Sequence, residues 1–362
     1  MKILIILGTR PEIIRLNLII KKLDKIGIKN TVVHTGQNYD PKLSDIFFKD
    51  LSLKEPDYYL GIKEDKVGAQ IGKIIEKSEE IILKEKPDFL LVLGDTNSAL
   101  SAIVAARHSI PIMHLEAGNR CFDWRVPEEK NRVIIDHISD WLVPYTRRSK
   151  ENLIKEGISQ ELIFVSGNPI TEVLEFFKDK IEQSDILNKL KLKEKNYFLA
   201  TLHREENVDE ASVLKTIIEG LNLVVEKLDK TLVFSVHPRT KDRLSKSKIR
   251  LSKKIKISEP LGFFDFVKLE KNALCVLTDS GTVQEECSIL KTPTVTIRET
   301  TERPETIECG SNILSGTTES KKILESVKQM IILDNNWISP YEKDFNVSDK
   351  IIKFIIHQKP KK

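Results

Sequence analysis

An α/β fold of two doubly wound domains is what this sequence predicts, and three features predict it. Short apolar runs alternate with longer amphipathic stretches, the alternation breaks and restarts near residue 197, and 362 residues exceed what one ordinary core holds. In the first half the runs are KILIIL, NTVVH, FLLVLG, IPIMHL and LIFVSG, with helical patterns such as Pro11 to Ile26 between them. Runs this apolar read as strands covered by helices on both faces of a parallel sheet. The second half repeats the scheme with YFLATL, TLVFSV, KIKI, ALCVLT and TPTVTI.

Gly167-Asn168-Pro169 closes the last run of the first half, and a helix from about Ile170 to Lys180 leads into a lysine-rich stretch. The boundary is placed there, giving domains 1–170 and 171–362. A helix predicted from about Ser348 to Gln358 can pack on either domain. Ligands of open parallel sheets sit beyond the carboxyl ends of the strands, so two such domains are expected to face a shared cleft.

The residues that follow the strands carry the chemistry. After KILIIL come Gly8-Thr9-Arg10-Pro11-Glu12 and, on the first helical turn, Arg15. Gly8 allows a tight exit, Pro11 suits a helix start, and the helix amides with Arg10 and Arg15 favour an anion. Asp95 follows FLLVLG, Glu116 follows IPIMHL, and His203 follows YFLATL, so each strand delivers an ionisable group to one edge. Singly, each also fits a cap or a loop ion pair, Glu116 with Arg120 for example. In VPEEKNRVIIDH, Glu128 lies one turn before Arg132, which fits either a site or an ordinary i, i+4 pair. In LTDSGTVQEE, Ser280, Gly281 and Thr282 open a helix after a strand and suit a phosphate; Glu286, one turn on, suits two ribose hydroxyls. Thr282 to Glu285 also has capping-box spacing, which leaves Glu286 without a use. Arg298 and Arg303 add cations after the next strand.

Composition narrows the function. A 40% hydrophobic and 31% charged content is globular, and a net charge of +4 with 6% aromatics gives no case for nucleic acid. Cys121, Cys275, Cys287 and Cys309 show no metal-binding spacing, so free thiols and no metal site are expected. No apolar run approaches membrane-spanning length, and a strand at the first residues leaves no room for a signal peptide; a cytoplasmic protein is expected. No GxGxxG follows the first strand, which argues against a dinucleotide cofactor. An acidic, histidine-bearing set with a phosphate-binding loop points to a nucleotide-linked small molecule.

In order along nearly the whole chain, GTRPEIIR, GDTNS, HLEAGNR, PEEKNR, HREEN, TDSGTVQEE and TTERPE resemble the motifs of the non-hydrolysing UDP-N-acetylglucosamine 2-epimerases. The resemblance implies two Rossmann-like domains in the GT-B architecture, a homodimer, no cofactor, and a UDP-sugar substrate. It implies conversion of UDP-GlcNAc to UDP-ManNAc for surface polysaccharide such as capsule or O-antigen. Arg10, Asp95, Glu116, Glu128, Arg132 and His203 match active-site positions, with Asp95, Glu116, Glu128 and His203 the catalytic candidates. Ser280, Gly281, Thr282, Glu286 and Arg303 match positions that hold UDP, and Phe266 with the backbone near Leu261 matches the uracil pocket.

Arg15 replaces the lysine usual in the best-known members. HTGQNYD at 34–40 and NRCFD at 119–123 look instead like the related enzymes that turn a UDP-2-acetamido-2,6-dideoxy-L-talose into UDP-N-acetyl-L-fucosamine. The segment matching an allosteric UDP-GlcNAc site, residues 37–40, departs from the family pattern, so that regulation is not expected. A GT-B glycosyltransferase and a UDP-sugar-binding protein are the readings from other classes.

Overall fold

Lys2–Leu7 forms β1, buried from Ile3 onward, and α1 (Arg10–Lys25) follows with Thr9 as its N-cap. In the computed structural model, residues 1–36, 41–64, 66–247 and 249–358 are described, with the backbone alone for 41–45. The sequence reading of residues 37–40 lies outside the described residues. The chain divides into two compact units, Met1–Val173 with Asp344–Lys362, and Leu174–Lys343.

The first unit continues with β2 (Lys29–His34), α2 (Pro41–Asp50), β3 (Tyr58–Tyr59), α3 (Val67–Glu85) and β4 (Phe89–Leu93). After a 3-10 turn at Asn97–Ser101 come α4 (Ala102–Arg107), β5 (Ile112–Leu115), α5 (Pro127–Ile138), β6 (Trp141–Val143), α6 (Arg147–Lys155) and α7 (Pro169–Phe176), within which the division at Val173 falls. Its sheet runs β3-β2-β1-β4-β5-β6, all parallel. The order reverses between β1 and β4, so the loops after those strands flank the crevice where such sheets bind ligands. Leu4, Ile6, Val33, Leu90 and Val92 pack with α3 and α4 into one core.

The second unit holds α8 (Lys178–Glu182), α9 (Ile186–Lys189), β7 (Tyr197–Leu202), α10 (Glu205–Val208), α11 (Ala211–Leu228), β8 (Thr231–Val236) and α12 (Pro238–Lys246). Then follow β9 (Ile255–Ser258), α13 (Phe263–Asn272), β10 (Cys275–Thr278), α14 (Gly281–Leu290), β11 (Thr294–Thr296), α15 (Pro304–Glu308), β12 (Asn312–Leu314) and α16 (Ser320–Ile332). Its sheet, β12-β11-β10-β7-β8-β9, has the same winding, with the reversal between β7 and β10.

Two differences from the sequence reading have local causes, and one point it left open is decided. LIFVSG, read as a strand, forms no strand: Phe164 N donates to Leu142 O at 2.9 Å and Ser166 N to Pro144 O at 3.1 Å, but the sixth strand is Trp141–Val143, a run too short to stand out. The helix read from Ile170 to Lys180 breaks at Phe177, whose ring is buried, into α7 and α8. The final helix, α17 (Val347–His357), belongs with the first unit. Its Ile351, Ile352 and Ile355 are buried, Phe354 stacks on Phe164 at 4.5 Å, and Asp349 pairs with Lys22 at 2.8 Å.

Candidate active site

In the first unit, the turn from β1 into α1 is built around Glu12. Its carboxylate accepts from Gly8 N at 2.9 Å, Thr9 N at 2.7 Å and the Thr96 hydroxyl at 3.0 Å. With Thr9 it completes a capping box, which ties the loops after β1 and β4 together. Burial raises the Glu12 pKa to about 7 against these hydrogen bonds. The sequence reading passed over Glu12, although Thr9-x-x-Glu12 is itself the capping-box spacing.

The two arginines predicted to meet an anion stand in different environments. Arg10 is half-buried, its guanidinium lies over the Phe47 ring at 5.7 Å, and it makes no ion pair among the described residues. Desolvation lowers its pKa, the signature of a cation held without its counter-charge. Arg15 is buried, forms an ion pair with Glu116, and lies over the Tyr145 ring at 5.7 Å.

The acids stand where the strands place them. Glu116 follows β5 in the left-handed region, φ +68°, an unusual conformation for a residue with a Cβ, and is buried. Its partner is Arg15; Arg120, the partner considered from sequence, instead binds Glu156 (2.7 and 2.6 Å) and Asp136 (2.7 Å). Asp95 pairs with Arg132, which also binds Glu129 and donates to Asn119 O at 3.2 Å. Arg132 thus pairs with Glu129 at i−3, and Glu128, at i−4, is half-exposed. Glu129 also accepts from Cys121 N at 3.1 Å and Phe122 N at 3.0 Å, which fixes the 119–123 loop.

Behind Asp95 and Glu116 lies a buried network. His114 bridges Gly94 O at 2.8 Å and Asp136 at 2.7 Å, and Asp136 also accepts from Gly118 N at 3.1 Å. Burial raises the Asp136 pKa, but the charges of His114 and Arg120 outweigh it and hold the carboxylate low. The glycines on either side of the two acids are thereby pinned.

In the second unit, His203 and the α14 N-terminus follow neighbouring strands β7 and β10. Asp279, fully buried, accepts from His203 N at 3.0 Å, Arg204 N at 3.0 Å and Asn207 Nδ2 at 3.2 Å, and faces His203 Nδ1 at 3.1 Å. Burial works against the Asp279 anion, yet the His203 charge and these donors bring its pKa to about 2. The imidazole is therefore held through Nδ1, with its side chain 37% exposed. Asp279 was quoted in the TDSG motif but given no role from sequence.

Ser280 caps α14 by its backbone alone, with Thr282 half-buried beside it. A Cβ on Gly281 would meet Glu302 Oε1 at 2.7 Å and Arg303 Cζ at 3.2 Å, so any larger residue has to displace those side chains. Arg303 pairs with Glu285 at 2.9 Å and Glu302 at 3.0 Å; Arg298 pairs with Glu302 at 2.8 Å and Arg204 with it at 3.2 Å. Glu285 is thus an ion-pair partner, not the last member of a capping box. Glu286 is buried further along α14. Leu261 and Phe266, the expected uracil contacts, are partly buried against the apolar cluster of Tyr197, Leu199 and Val276. Among the described residues no cluster of His, Cys, Asp or Glu could hold a metal ion, and no helix is long and apolar enough to cross a membrane.

Comparison with known proteins agrees with this arrangement. A family model described as UDP-N-acetylglucosamine 2-epimerase matches residues 21–356. The UDP-N-acetylglucosamine 2-epimerase of Methanocaldococcus jannaschii is 44% identical, covering 99% of this chain and 100% of the relative. A Pseudomonas aeruginosa UDP-2,3-diacetamido-2,3-dideoxy-D-glucuronate 2-epimerase is 36% identical, covering 91% of this chain and 92% of the relative. A crystal structure of the M. jannaschii UDP-GlcNAc 2-epimerase in complex with UDP-GlcNAc and UDP is similar with a TM-score of 0.94 at 44% identity, covering 99% of this chain and 100% of that one. The α/β fold is thus GT-B-like, and the chain belongs to the UDP-N-acetylglucosamine 2-epimerase family.

Proposed function

We propose that this chain is a non-hydrolysing 2-epimerase that interconverts UDP-GlcNAc and UDP-ManNAc. The observation that carries the reading is Arg10: a half-buried guanidinium with no carboxylate partner among the described residues, at the start of α1. Such a cation is matched by a diphosphate that gains charge as it leaves.

No carbonyl acidifies the C2 hydrogen of an acetamido sugar, so the C1–O bond breaks first and its electron pair departs with UDP. A carboxylate takes the C2 proton, and the C–H electrons form the C1–C2 double bond of a 2-acetamidoglucal. Protonation of C2 from the other face and return of the phosphate oxygen to C1 give the epimer. Asp95, Glu116 and Glu128 are the groups for proton removal and return. His203, oriented by Asp279, serves the diphosphate. Arg15, paired with Glu116, holds that acid in place and is a poorer candidate for the phosphate than Arg10. Ser280, Gly281, Thr282, Glu286 and Arg303 hold UDP, Arg132 holds Asp95, and Leu261 with Phe266 take the uracil. A cytoplasmic homodimer supplying surface polysaccharide belongs to the same reading.

Incubation with UDP-GlcNAc in deuterated water, with no acceptor, should place deuterium at C2 and yield the manno epimer. A glycosyltransferase or a binding protein would give no exchange, and a hydrolysing enzyme would accumulate UDP and free sugar. A second reading, epimerisation of the UDP-2-acetamido-2,6-dideoxy-L-talose, is favoured by the NRCFD segment at 119–123. Offering both sugars separately and following the anomeric NMR signals decides between them.

A further inference from the structure

His114 lies on β5, two residues before Glu116, and is fully buried. Both of its ring nitrogens face oxygens of acceptor groups: Nδ1 lies 2.7 Å from the Asp136 carboxylate and Nε2 lies 2.8 Å from Gly94 O. A neutral imidazole has one N–H and one lone pair, so it can satisfy only one of these contacts. The Arg120 guanidinium at 2.7 Å and the Gly118 N–H at 3.1 Å favour Asp136 as a carboxylate, which leaves the second proton to the ring. Charge then balances within the cluster. His114 and Arg120 stand against Asp136 and Glu156, the latter bound by Arg120 at 2.7 and 2.6 Å. A buried cation is sustained by such pairing and hydrogen bonding.

The bond to Gly94 bears directly on Asp95, the next residue. Gly94 has φ +72°; its N–H donates to Leu115 O at 2.9 Å, while its carbonyl goes to the His114 ring. A Cβ at this glycine would lie 4.0 Å from Glu116 Cδ, so the Gly94–Asp95 peptide runs beside the second acid. On its other side the ring reaches Asp136, which holds the turn after Glu116 through Gly118 N. We propose that His114, carrying a proton on both ring nitrogens, is a positioning residue for the two acids. One N–H fixes the Gly94–Asp95 peptide; the other ties it to the carboxylate that holds the turn after Glu116. Asp95 and Glu116 thereby keep a fixed spacing across the reacting carbon. The inference rests on the reading of these two acids as the groups that move the C2 proton, a step whose rate depends steeply on their placement.

Nitrogen-15 NMR on the full chain, with the His114 ring assigned through bonds to its own backbone, should show a proton on both ring nitrogens at neutral pH. A ring nitrogen without a proton overturns the proposal, because one of the two ties is then absent. Two variants test the consequence for the chemistry. His114→Gln keeps an amide donor for Gly94 O; His114→Asn keeps one for Asp136 only. Deuterium exchange at C2, measured at saturating UDP-GlcNAc and well below each melting temperature, should fall on the order of a hundredfold in His114→Asn and less than about tenfold in His114→Gln. KM should change little in either. Parental turnover in His114→Asn, or losses that follow the melting temperatures of the variants instead of the bond to Gly94, would overturn the positioning role. Should neither variant fold, the NMR result on the parent decides. A parent that exchanges the C2 hydrogen of neither acetamido sugar would instead remove the epimerase reading, with the state of the His114 ring still settled by NMR.

Discussion

Glu116 at φ +68° and Asp95 beyond β4 each face a guanidinium, and the two pairs respond differently to substitution. Arg15 and Glu116 form an ion pair buried on both sides, so Glu116→Gln, which takes one charge out of it, should cost about 3–5 kcal/mol. Arg132 keeps Glu129 when Asp95 is neutralised, so Asp95→Asn should cost distinctly less. Thermal melts of the two variants check this ordering, and an equal loss would count against it. Deuterium exchange at C2 on the folded Asp95→Asn protein then reads the chemistry without a stability effect; exchange at the parent rate would take Asp95 out of the mechanism. UDP affinity should survive in it, because removing negative charge near an anionic ligand does not weaken its electrostatic attraction. The positions of these acids were legible in the sequence, since the strand-end rule needs only local pattern. Their partners were not: Arg15 and Glu116 are 101 residues apart, and nothing in either segment names the other. Within PEEKNR the sequence reading weighed only Glu128 at i−4; the Glu129 pair at i−3, which also ties down the 119–123 loop, was not read from it.

The start of α1 carries a titratable cap. In the unfolded chain Glu12 ionises near 4.5, and in the folded chain near 7, so the native state binds the extra proton between those values. Stability from this group is present below pH 4.5 and is lost as pH rises to 7, by roughly 3 kcal/mol. Glu12→Gln, which also suits a capping box, should flatten that part of the pH profile in denaturant titrations. A slope unchanged from the parent would refute the assignment. At α14 two effects oppose each other for Gly281→Ala. Alanine gains up to about 1 kcal/mol of helix preference, less at a first turn, but its Cβ at 2.7 Å from Glu302 Oε1 displaces a buried ion-pair network. The clash should win, with lower stability and weaker UDP binding; a more stable variant with parental affinity would contradict it. Most long strands and helices were legible because they bury a full apolar run or stripe. LIFVSG misled because its apolar residues fill space beside the sheet, hydrogen-bonded to Leu142 and Pro144 without extending the ladder.

The first unit is discontinuous, and its completion depends on residues after Lys343. Asp344 accepts from Asn168 N at 2.8 Å, Ser348 donates to Glu172 at 2.7 and 2.8 Å, and α17 packs on α1. Ile351→Ala should therefore cost about 2–5 kcal/mol and lower hydrogen-exchange protection in α1 and α7. Protection in the β7–β12 sheet should not change; loss there instead would show that α17 supports the other unit. An amphipathic stripe told the sequence reading that α17 buries one face, but an apolar stripe fits any apolar surface, so its owner was not legible. The same arrangement sets the order of events on the ribosome. Residues 174–343 are translated between the two parts of the first unit, a delay on the order of ten to thirty seconds at roughly 5–20 residues per second. During that interval the second unit can fold by itself, while the face of α1 that α17 will cover is exposed to chaperones and proteases. A message truncated near its end would thus yield a chain with an intact later half and an unfinished earlier one.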